Sequence, residues 1–257
     1  MASCSSAQPS PFNPSGSRSP EATWTACSSP RAGVLLGALA LKPHLFLVLV
    51  PVYLVRAPDR RTTAIAFGAT VAALVGASLA LRPDWVAPRL SSVTALGTSA
   101  GSNATLWTID RALPLLPRGV LPAAAALATL GTFAVWWIRA RPLFQPVIGA
   151  ALCVSLAVAP HGWSYDLVVL LVTTAIILEL LARAQAGGRA VGLVLLALVT
   201  GVLPWTLYAV AVRRGGEDLT ALAPLALLAL VIAAERWSRV HPRAWTDLER
   251  EGGQVIG

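Results

Sequence analysis

The chain is poor in charge. Only 12% of its 257 residues are Asp, Glu, Lys or Arg, about half the ~25% typical of soluble domains. A soluble globule of this size needs a charged shell, and this composition cannot provide one. Intrinsic disorder is excluded for most of the chain, because disorder requires low hydrophobicity together with high charge. Cysteine is scarce too. Cys4, Cys27 and Cys153 are odd in number, and two of them fall in a polar tail. No CxxC or Cys/His cluster exists, so neither a disulfide framework nor a structural zinc site is expected. There is no Walker-type Gly loop, no GxSxG and no HExxH, which leaves soluble-type nucleotide, serine-hydrolase and zincin chemistry without support. No heptad or solenoid repeat occurs.

Lysine is almost missing. Nineteen of the twenty cations are Arg, and the single Lys is Lys42. Net charge is +8, yet the Arg residues sit in short clusters between apolar runs. Such clusters are topology signals and lipid-headgroup contacts, not a nucleic-acid footprint. What the chain has in abundance is apolar residues, at 56%.

Residues 1–31 are rich in Ser and Pro and lack an apolar core, so a disordered tail without a signal peptide is expected. From residue 32 to 236 apolar runs follow one another. A span needs ~20 residues to cross ~30 Å of hydrocarbon. Seven candidates emerge, at about 32–55, 62–82, 119–139, 143–160, 164–182, 190–212 and 219–236. The expected fold is therefore an all-α polytopic transmembrane bundle, followed by a cytoplasmic tail over 237–257. The run at 143–160 is short. The first run is interrupted by Lys42-Pro43-His44 and reads either as one kinked helix or as two half-helices. Residues 83–118 form a long loop, too polar to span and too apolar for a linker; segments lying on the membrane surface are expected there.

The positive-inside rule orients the bundle. With residue 32 outside, Arg56, Arg60, Arg61, Arg139, Arg141, Arg183, Arg189, Arg236, Arg239, Arg243 and Arg250 collect inside. Arg18, Arg31, Arg82, Arg89, Arg111, Arg118, Arg213 and Arg214 fall outside. The long loop and His161 then face outward. Trp136, Trp137, Trp205 and Trp237 lie near span ends, as aromatic belts require.

Polar groups at membrane depth cost a few kcal/mol unless paired or wetted, about +3 kcal/mol for a charged side chain. Lys42-Pro43-His44 joins a cation, a broken helix and a titratable ring. Its functional reading is a site for an anionic group such as a lipid phosphate; the bland one is a lysine snorkelling at a helix end. The segment from Ala159 to Asp166 crowds His161, Trp163, Tyr165 and Asp166 into a short connection broken by Pro160 and Gly162. A histidine there can exchange a proton or hydrogen-bond an anionic oxygen. The bland alternative is an interfacial turn with Asp166 near the N-terminus of the next helix. Glu179 and Arg183 are four apart, in the order that favours a local ion pair. Asn103 is placed to cap a short helix carrying Leu106 and Trp107.

Taken in order, these clusters resemble glycosyltransferase family 87, a bacterial polytopic family. The run from Gly37 to Leu41 before Lys42-Pro43-His44, the segment Asn103-Ala104-Thr105-Leu106 with a later Arg111, and Ala159 to Asp166 are similar to that family's motifs over roughly residues 32–235. The resemblance implies a GT-C-like fold in the plasma membrane. It also implies a polyprenyl-phosphate sugar donor, typically of mannose, and a lipid-linked or cell-envelope glycan acceptor; from the residues themselves no cofactor and no metal ligand set is expected. Lys42, His44 and His161 match groups around the donor phosphate, and Asn103, Arg111, Trp163 and Tyr165 line the substrate site. Asp166 is the acid nearest the outer face, though the resemblance does not assign it as the catalytic base. The family's catalytic Asp lies in an outer loop ahead of the Lys-Pro-His region, and no such loop precedes residue 32. The expectation is an integral membrane glycosyltransferase, or an inactive C-terminal portion of one that binds donor without turnover. The rival expectation is a transporter or flippase-like subunit for a polyprenyl-linked glycolipid. It predicts interrupted helices in both halves of the chain.

Overall fold

The structure is a computed structural model and describes residues 29–38, 42, 46–57, 59–88, 105–109, 119–159 and 164–240. Among them every regular element is helical, and no strand occurs. Eight helices follow in order: α1 (Ser29–Ala38), α2 (Phe46–Arg56), α3 (Arg60–Leu81), α4 (Val120–Ala140), α5 (Phe144–Val158), α6 (Leu170–Ala182), α7 (Ala186–Arg214) and α8 (Leu222–Val240). Short 3-10 turns cover Leu106–Thr108 and Ser164–Val169, and Leu198–Val202 within α7 is π-helical. Three helices are long and apolar enough to cross a membrane: α3, α4 and α7. At ~1.5 Å per residue, the 22 residues of α3 extend about 33 Å.

Each expected apolar run carries helix, with ends shifted by a few residues. The first run is two helices, not one. Lys42 lies between them, outside both. The tail expected to end at 31 gives way to helix at Ser29, and α8 continues to Val240, past the expected start of the C-terminal tail. Residues 1–28 and 241–257 lie outside the described residues.

The core is built around α5. From Val147 to Val158 all but Ile148 are buried. This helix reads FQPVIGAALCVSLAV, with no charge and mostly short side chains. Small residues let neighbours approach on all sides, and α2, α4, α6 and α8 all pack against it. On α6, Thr173 donates to the Gly149 carbonyl at 3.1 Å, and Gly149 lies against Ile176. Leu227, Leu230, Val231 and Ala234 of α8 close the core.

Helix directions follow from contacts. Val48 of α2 meets Ser155 near the end of α5, while Tyr53 meets Phe144 at its start, ring centroids 5.3 Å apart. The two helices are therefore antiparallel. The end of α2 also reaches the end of α4, where the Arg56 guanidinium sits 5.9 Å from the Trp137 ring centre. Arg239 at the end of α8 donates to the carbonyls of Ala140 and Arg141, at 2.9 and 3.1 Å. These contacts define one basic end of the bundle. At the opposite end lie Lys42, the 3-10 turns and the α7–α8 connection.

The structure corrects one placement. A Cβ on Gly33 would meet Ala66 at 2.6 Å, and one on Gly37 would meet Thr70 at 2.5 Å. Successive turns of α1 thus meet successive turns of α3, so the two run parallel. Arg31 and the start of α1 sit at the basic end, beside Arg60 and Arg61, and not at the opposite end. The cause is the chain reversal between α1 and α2, which a single first span does not contain. The pair Gly33-x-x-x-Gly37 is the small-residue spacing that lets two helix backbones touch.

Substituting Ile at Gly37 is expected to force α1 off α3, costing ~1–3 kcal/mol as overpacking does. Ile at Gly68, where a Cβ has open space within 4 Å, is the control. Thermal unfolding of both variants in detergent, with a lower Tm only for Gly37→Ile, checks the packing.

Candidate functional site

The end of the bundle away from the Arg clusters gathers four kinds of polar group that the chain must satisfy. The first is the start of α2. A helix leaves its first four amides without intrahelical acceptors. Here the Ser155 hydroxyl, on the neighbouring α5, accepts from the Val48 and Leu49 amides at 3.2 and 3.3 Å. A side chain of one helix so completes the N-terminus of another.

The second is the end of α5, whose last carbonyls lack donors. The Trp107 indole Nε1 donates to the Val158 carbonyl at 2.8 Å. Trp107 belongs to the 3-10 turn Leu106–Thr108, in which Leu106 is 1% exposed. This turn docks the middle of the long loop onto α5. Its N-terminal flanking residue is Thr105, which makes no side-chain cap bond. Asn103, expected as the cap, lies outside the described residues.

The third and fourth are Lys42 and Asp166. The Lys42 Nζ and an Asp166 carboxylate oxygen are 2.5 Å apart. The two residues are 124 positions apart in sequence. Asp166 lies in the 3-10 turn Ser164–Val169, directly ahead of α6, and its side chain is 4% exposed. The Lys42 side chain is 43% exposed. The carboxylate is therefore buried and held by a lysine whose side chain is half-exposed. An ammonium carries three donors and a carboxylate only acceptors. The pair is close to neutral, which is how a buried carboxylate can remain ionised in an apolar setting.

Of the residues singled out from sequence, the structure brings together Lys42 and Asp166. His44, Asn103, Arg111, His161 and Trp163 lie outside the described residues. For Tyr165 only its backbone position, in the turn beside Asp166, is described. Glu179 and Arg183 form the expected i,i+4 pair. Among the described residues no group of three His, Cys, Asp or Glu is placed to hold a metal ion.

Two features carried signals that the sequence reading passed over. Glu235 and Arg239 on α8 have the same acid-first i,i+4 spacing as Glu179 and Arg183, and they too form an ion pair. The second is the α1 pair Gly33 and Gly37. Ser155, by contrast, had no local signal, since only the packing of α2 on α5 gives it acceptor work.

Comparison of the chain with family models, curated proteins and solved structures gives no match.

Replacing Lys42 by Met leaves a buried carboxylate without its ammonium. For fully buried pairs that costs ~3–5 kcal/mol; with Lys42 half-exposed, water offsets part of it and about 2 kcal/mol is expected. The double variant Lys42→Met/Asp166→Leu is expected to recover part of the loss, because the buried carboxylate is removed together with its ammonium. A double-mutant cycle by thermal unfolding in detergent reads the coupling directly.

Proposed function

We propose that the chain is a bacterial plasma-membrane protein of about seven spans with a GT-C-like bundle. It acts on lipid-linked sugar phosphates as a glycosyltransferase, or as the donor-binding portion of one. The observation that supports this reading is the Lys42–Asp166 ion pair. It joins Lys42-Pro43-His44 to the Ala159–Asp166 segment, the two clusters on which the family resemblance rests. Two motifs separated by 124 positions and meeting through a charge pair are what one shared site requires.

The polarity of the bundle agrees with this. Arg31, Arg56, Arg60, Arg61, Arg139, Arg141, Arg183, Arg189, Arg236 and Arg239 gather at one end, which the positive-inside rule makes cytoplasmic. The Lys42–Asp166 pair then faces outward. Three helices have membrane length; α2, α6 and α8 pack around α5, and α1 packs on α3.

The pair suits a phosphate-bearing donor. The half-exposed Lys42 side chain can offer an ammonium N–H to a phosphate oxygen as a charge-assisted hydrogen bond. Sugar transfer forms a bond from the acceptor oxygen to the anomeric carbon and breaks the bond from that carbon to the donor phosphate oxygen. The acceptor proton goes to a base, and the cationic group steadies the leaving phosphate. Lys42, with His44 and His161 in the same motifs, fits the second task.

One observation favours the transporter reading. The π-helical stretch Leu198–Val202 is a second interruption, in the other half of the chain, as transporters with paired broken helices show. It carries no charged residue, whereas the α1–α2 interruption carries Lys42.

Binding of a polyprenyl-phosphate sugar to the detergent-purified chain tests the assignment. Lys42→Ala and His161→Ala are each expected to weaken it at least tenfold, the loss of about one charge-assisted hydrogen bond, with membrane insertion intact. Unchanged binding in both variants would sink the site. Release of free polyprenyl phosphate on adding acceptor separates transfer from transport.

A further inference from the structure

The 3-10 turn Leu106–Thr108 buries the residues on both sides of Trp107 but leaves Trp107 itself uncovered. Leu106 is 1% and Thr108 4% exposed, while Trp107 is 43% exposed. The ring is held nonetheless. Its Nε1 donates to the Val158 carbonyl at 2.8 Å, and that bond keeps one edge of the indole turned inward. An interfacial belt tryptophan does the reverse: it puts its N–H among water and headgroups and its body in hydrocarbon. Here the N–H is spent inside the protein, and the apolar ring is what remains open. Among the described residues no second ring and no cation stacks on it.

The turn sits where the two site motifs meet. It packs against α5, and so does the turn that carries Asp166. The last turn of α5 also supplies Ser155 to the start of α2, the helix that follows Lys42. Local satisfaction is given up at this point. Thr105 flanks the turn at its N-terminus, where a threonine hydroxyl ordinarily accepts an amide. It makes no cap bond, and its Oγ1 is buried without a partner. Such breaks of a local rule are characteristic of functional sites.

We infer that Trp107 is the platform for a hexopyranose ring. The face of an indole is the negative side of its quadrupole. A pyranose presents weakly positive C–H groups on its faces and hydroxyls around its edge. Laid on the indole, it covers apolar area and keeps its hydroxyls free for water or protein. A cation is also drawn to such a face, but the Lys42 ammonium at the same end of the bundle opposes it. A lipid chain covers the ring without distinguishing an aromatic side chain from an aliphatic one. Resting on the reading of this end as a site for lipid-linked sugars, the assignment makes Trp107, and not the Lys42–Asp166 pair, the element that tells a sugar-bearing phosphate from a bare one.

The test compares Trp107→Phe with Trp107→Leu in the full chain, purified in a sugar-free detergent. Both variants lose the bond to Val158, so any structural cost is shared, and only the leucine variant loses an aromatic face. The probes are polyprenyl-phosphate mannose, bare polyprenyl phosphate and methyl α-mannopyranoside. The leucine variant is expected to bind the mannose-bearing lipid about fivefold more weakly than the phenylalanine variant, the worth of one aromatic contact, and to bind bare polyprenyl phosphate equally well. Trp205→Leu, which removes a 73% exposed ring on α7, is the control and is expected to change neither. A difference seen with the methyl glycoside alone also supports the platform and assigns the ring to the acceptor. If neither variant folds, oxidation of Trp107 by N-bromosuccinimide in the unsubstituted chain, located by peptide mass spectrometry, carries the test: a mannose-bearing probe is expected to slow it and bare polyprenyl phosphate is not. Equal sugar binding by the two variants, a matching difference with bare polyprenyl phosphate, or equal oxidation with and without sugar would each overturn the inference. Lys42→Ala separates this result from the phosphate site. Weaker binding of both polyprenyl probes in Lys42→Ala, beside equal binding in the Trp107 variants, sinks the platform alone. Unchanged binding in Lys42→Ala, beside a clear difference between phenylalanine and leucine, sinks the phosphate site alone.

Discussion

In hydrocarbon, a polar group without a partner costs several kcal/mol, of order 4–8 for an amide moved to a purely apolar medium. The organisation of this bundle depends on that constraint, because α1 and α2 are each too short to cross a bilayer. At ten and eleven residues they extend only about 15 Å. Their facing ends still carry polar groups that need partners. The structure meets the cost from outside the pair. Ser155 of α5 takes the α2 amides, and Asp166 takes the Lys42 ammonium. Trp107 then covers the Val158 carbonyl, the matching debt at the end of α5. Three contacts from three distant parts of the chain converge on one end, so that end is fixed by polar satisfaction, not by apolar packing alone.

Packing elsewhere follows two regimes. Around α5, short apolar side chains permit close approach from four neighbours, and the core is continuous through Val147, Val154, Ile177 and Val231. The α1–α3 pair is separate. It depends on Gly33 and Gly37, and the membrane-length stretch of α3 buries none of its residues in the fold. Among lipids the hydrophobic effect gives helices no reason to associate, so backbone proximity has to provide the attraction. At the basic end, arginine does the sealing. Arg239 holds the two carbonyls at the end of α4 through both guanidinium nitrogens, and one of those carbonyls belongs to Arg141, whose φ of 44 is left-handed. A fork of fixed donors suits two adjacent acceptors better than a single ammonium could.

Helix positions were legible because each apolar run exceeds ten residues and is bounded by Arg, Pro or Gly. The i,i+4 pair of Glu179 and Arg183 was legible because the helix itself brings it together. Lys42 and Asp166 were each conspicuous as charges in apolar surroundings, but their union was not. It depends on the chain reversing between α1 and α2, and a Lys-Pro-His sequence is equally compatible with a kink. That ambiguity explains the misplaced Arg31: one extra reversal moves the start of α1 to the other end. Ser155 was invisible for a different reason. A serine in an apolar helix bonds its own backbone as readily as a neighbour's, and only the docked α2 decides between them.

The pairing also changes what Lys42 can do. An isolated ammonium at this depth would bind any anion that reached it, and would be costly in the empty protein. Paired with Asp166, it costs little at rest, and on the proposed reading a phosphate would have to compete with a carboxylate already in place. That competition would weaken binding, but the pairing also fixes where the ammonium sits, because the buried carboxylate holds a long side chain at one point instead of leaving it a choice of rotamers.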